Sequence, residues 1–167
     1  MYKVAFLDRD GVLNKSNINN GYIGYKKDFK WIPGSIKAIE FIKSKGFKIV
    51  VVTNQSGVAR GFFKYRDVQK LHKYMQKELK KNKTKIDKIL FCPFHIDGIV
   101  KKYKLRSKLR KPDIGMYKLI EKKWKIDRGK SFMIGDQTSD MKFAKKAKIK
   151  GFLFRKGNLN KFIKNKI

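Results

Sequence analysis

Short, almost wholly apolar runs alternate along the chain with longer stretches in which apolar residues recur every three or four positions. The short runs are Lys3–Leu7, Lys48–Thr53, Lys88–Phe91, Ser131–Ile134 and Gly151–Phe154. Their near-continuous hydrophobicity predicts strands buried on both faces, as in a parallel sheet. The longer stretches predict helices at Ser35–Lys45, Tyr65–Lys81, Asp113–Trp124, Ser139–Lys146 and Leu159–Lys164. Ser35 follows the turn signal Pro33-Gly34, and Gly46 stands where a helix would close. Ile36, Ile39 and Ile42 form one apolar stripe, and Val68, Leu71, Met75 and Leu79 form another; both read as core. Strand and helix in alternation predict an α/β fold, a Rossmann-like, open, mainly parallel sheet with helices on both faces and no large cap domain. With no repeat and no change of composition, one domain over residues 1–167 is expected.

Two connections are longer than a turn requires, Asn14–Pro33 after the first strand and Phe94–Arg110 after the third. Long loops in a compact α/β domain tend to be functional. In open α/β sheets the ligand crevice lies beyond the carboxyl ends of the strands, where both loops begin.

Composition narrows the setting. Apolar residues make up 41% and aromatics 13%, too much for a disordered chain. No apolar run approaches the roughly 20 residues of a membrane span, and the N-terminus lacks a signal peptide's basic-then-apolar layout. The lone Cys92 excludes an internal disulfide framework. A cytoplasmic monomer with no membrane partner is expected. The net charge of +31 could mark a surface for nucleic acid or another polyanion. However, 37 of the 44 basic residues are Lys, scattered over every segment beside frequent Asn and Ile, as a coding bias would produce. Nucleic-acid readers lean on Arg for bidentate contacts, so no specific nucleic-acid partner is expected.

The chemistry concentrates at strand ends. Asp8-Arg9-Asp10-Gly11-Val12 follows the first strand, and two carboxylates two residues apart in an extended segment repel unless a cation lies between them. Oxygen ligands of this kind suit Mg²⁺; two solvated Asp residues at a surface strand end are the alternative. Thr53-Asn54-Gln55-Ser56-Gly57 offers a hydroxyl and backbone amides to an anion. Arg110-Lys111-Pro112 precedes a helix, and Gly135-Asp136 is followed by Asp140. Each cluster alone is weak evidence, since Thr-Asn and Gly-Asp are common turns. A doubly wound sheet would gather all four on one rim.

Taken in order, Asp8-x-Asp10-Gly11-Val12, Thr53, Lys111 and Gly135-Asp136-x-x-x-Asp140 resemble the four motifs of the haloacid dehalogenase superfamily of phosphotransferases. Asp8-Arg9-Asp10-Gly11, Val52–Gly61 and Arg110–Met116 are similar to its heptose-bisphosphate and histidinol-phosphate phosphatase group, with the heptose branch favoured. The resemblance spans roughly residues 3 to 155. It implies an aspartyl-phosphate mechanism with Asp8 as nucleophile and Asp10 as acid and base. Mg²⁺ would be held by Asp8, the Asp10 backbone carbonyl and Asp136. Thr53 and Lys111 would hold the phosphoryl oxygens, and Asp140 would orient Lys111 or a metal-bound water. Asn19, Asn20, Gly21, Tyr22, Asn54, Gln55, Ser56 and Arg110 would contact a small phosphorylated sugar, with Gln137 nearby.

Many relatives carry a structural zinc after the third strand. Here the corresponding positions are Cys92, Phe94, Ser107 and Leu109, and three of four ligands are missing from a site that needs all four. The zinc site is lost and none is expected. His95 reads as a loop imidazole and His72 as structural. Other readings are a phosphatase for histidinol phosphate or another small phosphomonoester, a nucleic-acid 3′-phosphatase, and an inactive basic binding protein.

Overall fold

Successive residues of the central strand β1, Val4–Leu7, face opposite sides of the sheet, and both sides are buried. The computed structural model describes residues 1–167. It contains one five-stranded parallel sheet of β1, β2 (Lys48–Asn54), β3 (Lys88–Cys92), β4 (Phe132–Gly135) and β5 (Lys150–Leu153), in the order β3-β2-β1-β4-β5. Ala5 and Leu7, with Ile49, Val51, Phe132 and Ile134, pack against α1 (Ser35–Ser44), α2 (Tyr65–Lys81) and α5 (Leu159–Lys164). Val4 and Phe6, with Val50, Val52 and Met133, pack against α3 (Gly115–Glu121) and α4 (Thr138–Ala147). The unbroken apolar runs thus serve two helical layers at once, as their composition requires.

The expected α/β architecture is therefore present, and the segment between β1 and α1, where a cap could have been inserted, holds short 3₁₀ turns and isolated bridges from Asn14 to Asp10 and Trp31. Several boundaries differ. Ser131 lies outside β4 because its hydroxyl replaces a ladder contact: Oγ accepts from Val4 N at 2.9 Å and donates to Asp127 O at 2.5 Å. Helix α3 begins two residues late, since Asp113 N is turned back to Arg110 O and Gly115 N to Lys108 O, each at 2.9 Å. It ends at Glu121, where Lys123 and Trp124 both donate to Ile120 O in a closing turn. From β1 the chain builds outward through β2 to β3, then crosses back to β4 on the other side. That reversal opens a crevice at the carboxyl ends of β1, β2 and β4.

Candidate active site

Each of those strand ends delivers a polar residue into one cleft of about 680 Å³. Asp8 follows β1, Thr53 and Asn54 end β2, and Asp136 follows β4; Lys111 arrives on the loop after β3. Lys111 is almost wholly buried, with Nζ 3.0 Å from Asp8 Oδ1 and 2.6 Å from Asp140 Oδ1. Asp8 Oδ1 also accepts from Arg9 N at 2.7 Å, while no protein donor reaches Oδ2. Asp140 is tied through Oδ2 to Gln137 N at 3.1 Å, which closes the first turn of α4.

Two glycines permit this convergence. A Cβ on Gly11 would stand 2.2 Å from Asp136 Oδ2, and its φ of +81° is one that only glycine adopts freely. A Cβ on Gly135 would meet Asp140 Cβ at 2.1 Å.

Asp10 is held by three side chains. Arg9 gives Nε at 3.0 Å and Nη2 at 2.8 Å to Oδ1, Asn14 gives Nδ2 at 2.9 Å to Oδ1, and Gln55 gives Nε2 at 2.7 Å to Oδ2. Gln55 Nε2 also reaches Thr53 Oγ1 at 2.9 Å, so it ties Asp10 to the hydroxyl on β2. Arg9 itself is fully buried. Its guanidinium donates further to the Ile23 carbonyl, to Gln55 Oε1 at 3.1 Å and to His72 Nε2 at 3.2 Å.

The electrostatics follow from burial. Desolvation pushes the Asp8 carboxyl up to about 7, against the pull of Lys111 and with help from the charges of Asp140, Asp10 and Asp136. Asp136 is also raised, chiefly by burial. Burial alone would depress Lys111, but Asp8 and Asp140 more than reverse this and hold it above its usual value. The cleft therefore concentrates carboxylates that repel one another.

That donor set fits a hard divalent cation. Carboxylate oxygens of Asp8, Asp136 and Asp140 lie within 4.8 Å of one another. Asp136 Oδ1 is buried without a hydrogen-bond partner, whereas both oxygens of Asp140 are engaged by Lys111 and Gln137 N. Asp8 and Asp136 are thus the carboxylates with ligand capacity to spare, and all-oxygen coordination suits Mg²⁺.

Of the other residues singled out in the sequence, Asn20, Gly21, Tyr22, Ser56, Arg110 and Gln137 line the cleft. Asn19 does not; it faces an adjoining hollow walled by Tyr25, Phe62 and Phe63. Asn54 and Gln55 border the cleft, but their amides are largely spent on the protein. Asn54 exchanges two 3.0 Å bonds with the Lys111 backbone and so fixes the loop that carries the lysine. Gly57, the last residue of the segment offered to an anion, also lines the cleft, and Ser16, Asn17 and Ser139, which were not anticipated as site residues, complete the wall. Nor were the partners of Asp10. The available signal was Arg9, a guanidinium following an apolar run, which must find an internal acceptor if the run is buried. In the loop after β3, Cys92 is buried with Sγ 3.8 Å from Phe94 O. Ser107 Oγ accepts from Leu109 N at 3.2 Å, and Leu109 packs on the core layer of α3.

Residues 3–154 match the family model described as polynucleotide kinase 3 phosphatase. The chain is 42% identical over 160 residues to the D-glycero-β-D-manno-heptose-1,7-bisphosphate 7-phosphatase of Rhodopseudomonas palustris, covering 96% of this chain and 87% of that one. It is 41% identical over 150 residues to the enzyme of the same name from Haemophilus influenzae, covering 90% and 79%. Among solved structures, the D,D-heptose 1,7-bisphosphate phosphatase of B. bronchiseptica complexed with magnesium and phosphate superimposes with a TM-score of 0.80 at 29% identity, covering 98% of this chain and 86% of that one. Motifs, fold and relatives agree: the chain belongs to the polynucleotide kinase 3 phosphatase family of the haloacid dehalogenase superfamily, on the branch of the heptose-bisphosphate phosphatases.

Proposed function

We propose that this protein is a Mg²⁺-dependent phosphatase that removes the 7-phosphate of D-glycero-D-manno-heptose 1,7-bisphosphate through an aspartyl-phosphate. The observation that carries the reading is the buried Lys111, held between Asp8 and Asp140 at the floor of a cleft whose wall is almost entirely polar. The names of the 42% and 41% identical relatives supply the substrate, and the magnesium and phosphate of the B. bronchiseptica complex support the chemistry.

In this reading the unencumbered Oδ2 of Asp8 attacks phosphorus, and the bond from phosphorus to the sugar oxygen breaks as the Asp8–phosphorus bond forms. Asp10 gives its proton to the departing oxygen, then takes one from the water that attacks the aspartyl-phosphate. Lys111 and Thr53 hold phosphoryl oxygens as charge redistributes in the transition state. Asp140 orients Lys111 from behind. Asp8, the Asp10 backbone carbonyl and Asp136 would hold Mg²⁺, which screens the anionic nucleophile from the anionic phosphate. The hydroxyl- and amide-bearing residues Ser16, Asn17, Asn20 and Ser56 suit sugar hydroxyls. Phe94, Ser107 and Leu109 at the family's zinc positions support a zinc-free loop. The single sheet supports one domain over 1–167, and the free thiol of Cys92 suits the cytoplasm.

The test is phosphate release from the bisphosphate with Mg²⁺, followed by phosphorus NMR of the product. The expected product keeps phosphate at C1 alone. Asp8→Asn should fold normally and lose activity by several orders of magnitude; retention of more than about a tenth of the turnover overturns the nucleophile. A second reading, a 3′-phosphatase on nucleic-acid ends, is favoured only by the +31 charge and the description of the matching family model.

A further inference from the structure

We propose that Arg9 is a positioning residue for proton transfer: its guanidinium, anchored from behind by His72 and the Ile23 carbonyl, fixes the direction in which Asp10 presents its carboxyl group to the leaving oxygen. The inference rests on the phosphatase reading and extends it to a residue that never meets substrate.

Arg9 is 0% exposed, so it neither contacts the cleft's contents nor serves solubility. Its side chain spends every nitrogen on the protein. Nε and Nη2 form a fork on Asp10, Nη2 also reaches Ile23 O and Gln55 Oε1, and Nη1 meets His72 Nε2. Asp10, by contrast, keeps part of its side chain open to the cleft. A planar fork constrains a carboxylate in angle as well as distance, which a point charge does not. Without it, Asp10 would keep only single contacts from Asn14 and Gln55. His72 lies on α2, outside the catalytic loops, and it determines where the far end of the guanidinium rests. Burial and the Arg9 charge both drive its pKa well below the usual value, which keeps it an acceptor for Arg9.

The distinguishing measurement compares leaving groups. A sugar alkoxide needs a proton as it departs, whereas nitrophenolate leaves readily without one, so poor aim at Asp10 should harm only the first. Because kcat/KM reports events up to leaving-group departure, it excludes the later attack of water. Arg9→Lys retains charge but not the fork. It should lower kcat/KM for heptose bisphosphate by at least about thirtyfold, within the range of general acid catalysis, and for p-nitrophenyl phosphate by no more than about threefold. His72→Phe should shift the ratio the same way by about threefold or more, and His72→Gln, which can still accept, should restore it. If Arg9→Lys fails to fold, the two His72 variants decide. Parallel losses on both substrates in folded variants overturn the positioning role while leaving the phosphatase reading intact. A wild-type protein inert on both substrates overturns that reading and this inference with it.

Discussion

Nε2 of His72 lies 3.2 Å from Nη1 of Arg9, and because a guanidinium has donors only, the imidazole accepts at that atom. The ring is therefore neutral, with its proton on Nδ1. A residue in the middle of an amphipathic helix is thereby linked, through one buried arginine, to the carboxylate of Asp10.

This contact has a sign in the pH dependence of stability. Unfolded, His72 takes up a proton near pH 6.5; folded, burial and Arg9 hold its pKa well below that value. As pH falls below about 6.5 the unfolded chain gains a proton that the folded one refuses, so stability falls. The contribution is complete above that pH and is lost progressively below it. The raised carboxyls of Asp8 and Asp136 act in the opposite sense over part of the same window, so the difference between proteins isolates the histidine. Between pH 6.5 and 5, denaturant unfolding of the wild type should lose stability relative to His72→Gln by about 1 kcal/mol per pH unit. A difference that stays constant with pH would show that the imidazole is not neutral in the folded state.

Gly11 should be needed for metal binding more than for folding. An alanine there incurs the strain of a positive φ, roughly 1 kcal/mol, and drives its Cβ against Asp136 Oδ2. Gly157 supplies the control, because its φ is +103° and a Cβ would meet nothing within 4 Å. Both alanine variants should lose similar stability, but only Gly11→Ala should raise the Mg²⁺ concentration for half-maximal activity, by about tenfold or more, equivalent to ~1.4 kcal/mol. Equal Mg²⁺ titrations for the two would remove Asp136 from the metal site.

How much of this was legible in the sequence depends on where each interaction lies. Asp8, Thr53 and Asp136 could be found because an apolar run ending in a polar residue marks a strand's carboxyl end. Lys111 could be found because its motif fixes its place in the chain order. The network around Asp10 could not. Asn14 and Gln55, which bond Asp10, and His72, which bonds Arg9, come from two loops and a helix, and no one-dimensional spacing relates them. Asn54 and Gln55, which the family resemblance implies as substrate contacts, border the cleft, and their amides also bond the backbone of Lys111 and the side chains of Arg9, Thr53 and Asp10, a second duty that no sequence pattern announces. Helix α3 was read too long because the turns around Asp113 and Lys122 preserve apolar spacing while the backbone tightens, Asp113 N bonding Arg110 O and Lys123 N bonding Ile120 O three residues back.

The loop after β3 should be held by aromatic contacts in place of zinc. Tyr103 has its ring 5.9 Å from Phe94 and 6.3 Å from Tyr65, and its carbonyl accepts from His95 N at 3.2 Å. Such ring pairs contribute roughly 1 kcal/mol each beyond area burial. Tyr103→Ala should cost ~2–3 kcal/mol and lower Tm by about 5–10 °C, while a zinc chelator should leave the wild-type Tm unchanged. Elemental analysis finding one zinc per chain would show that the loop has other ligands.

Arg110 should decide between a small bisphosphate and a nucleic-acid end. It lines the cleft beside Lys111 with Nη1 buried and unpartnered. Burial holds its pKa below the usual value, and the charge of Arg60 adds to that. An anion bound there would relieve both effects. A chain at +31 will hold any oligonucleotide at low salt, so binding alone decides nothing and the comparison belongs under turnover at physiological ionic strength, where the Debye length is ~8 Å. The expected kcat/KM favours heptose bisphosphate over a 3′-phosphorylated oligonucleotide by at least about a hundredfold, ~2.7 kcal/mol of differential transition-state binding, which two or three contacts to the remote phosphate and sugar hydroxyls can supply. Arg110→Ala should cost the bisphosphate far more than a monophosphate that lacks a second anionic group. Equal losses on both would mean that Arg110 serves only the general field of the cleft. Comparable wild-type rates on the oligonucleotide would make the positive charge part of substrate recognition.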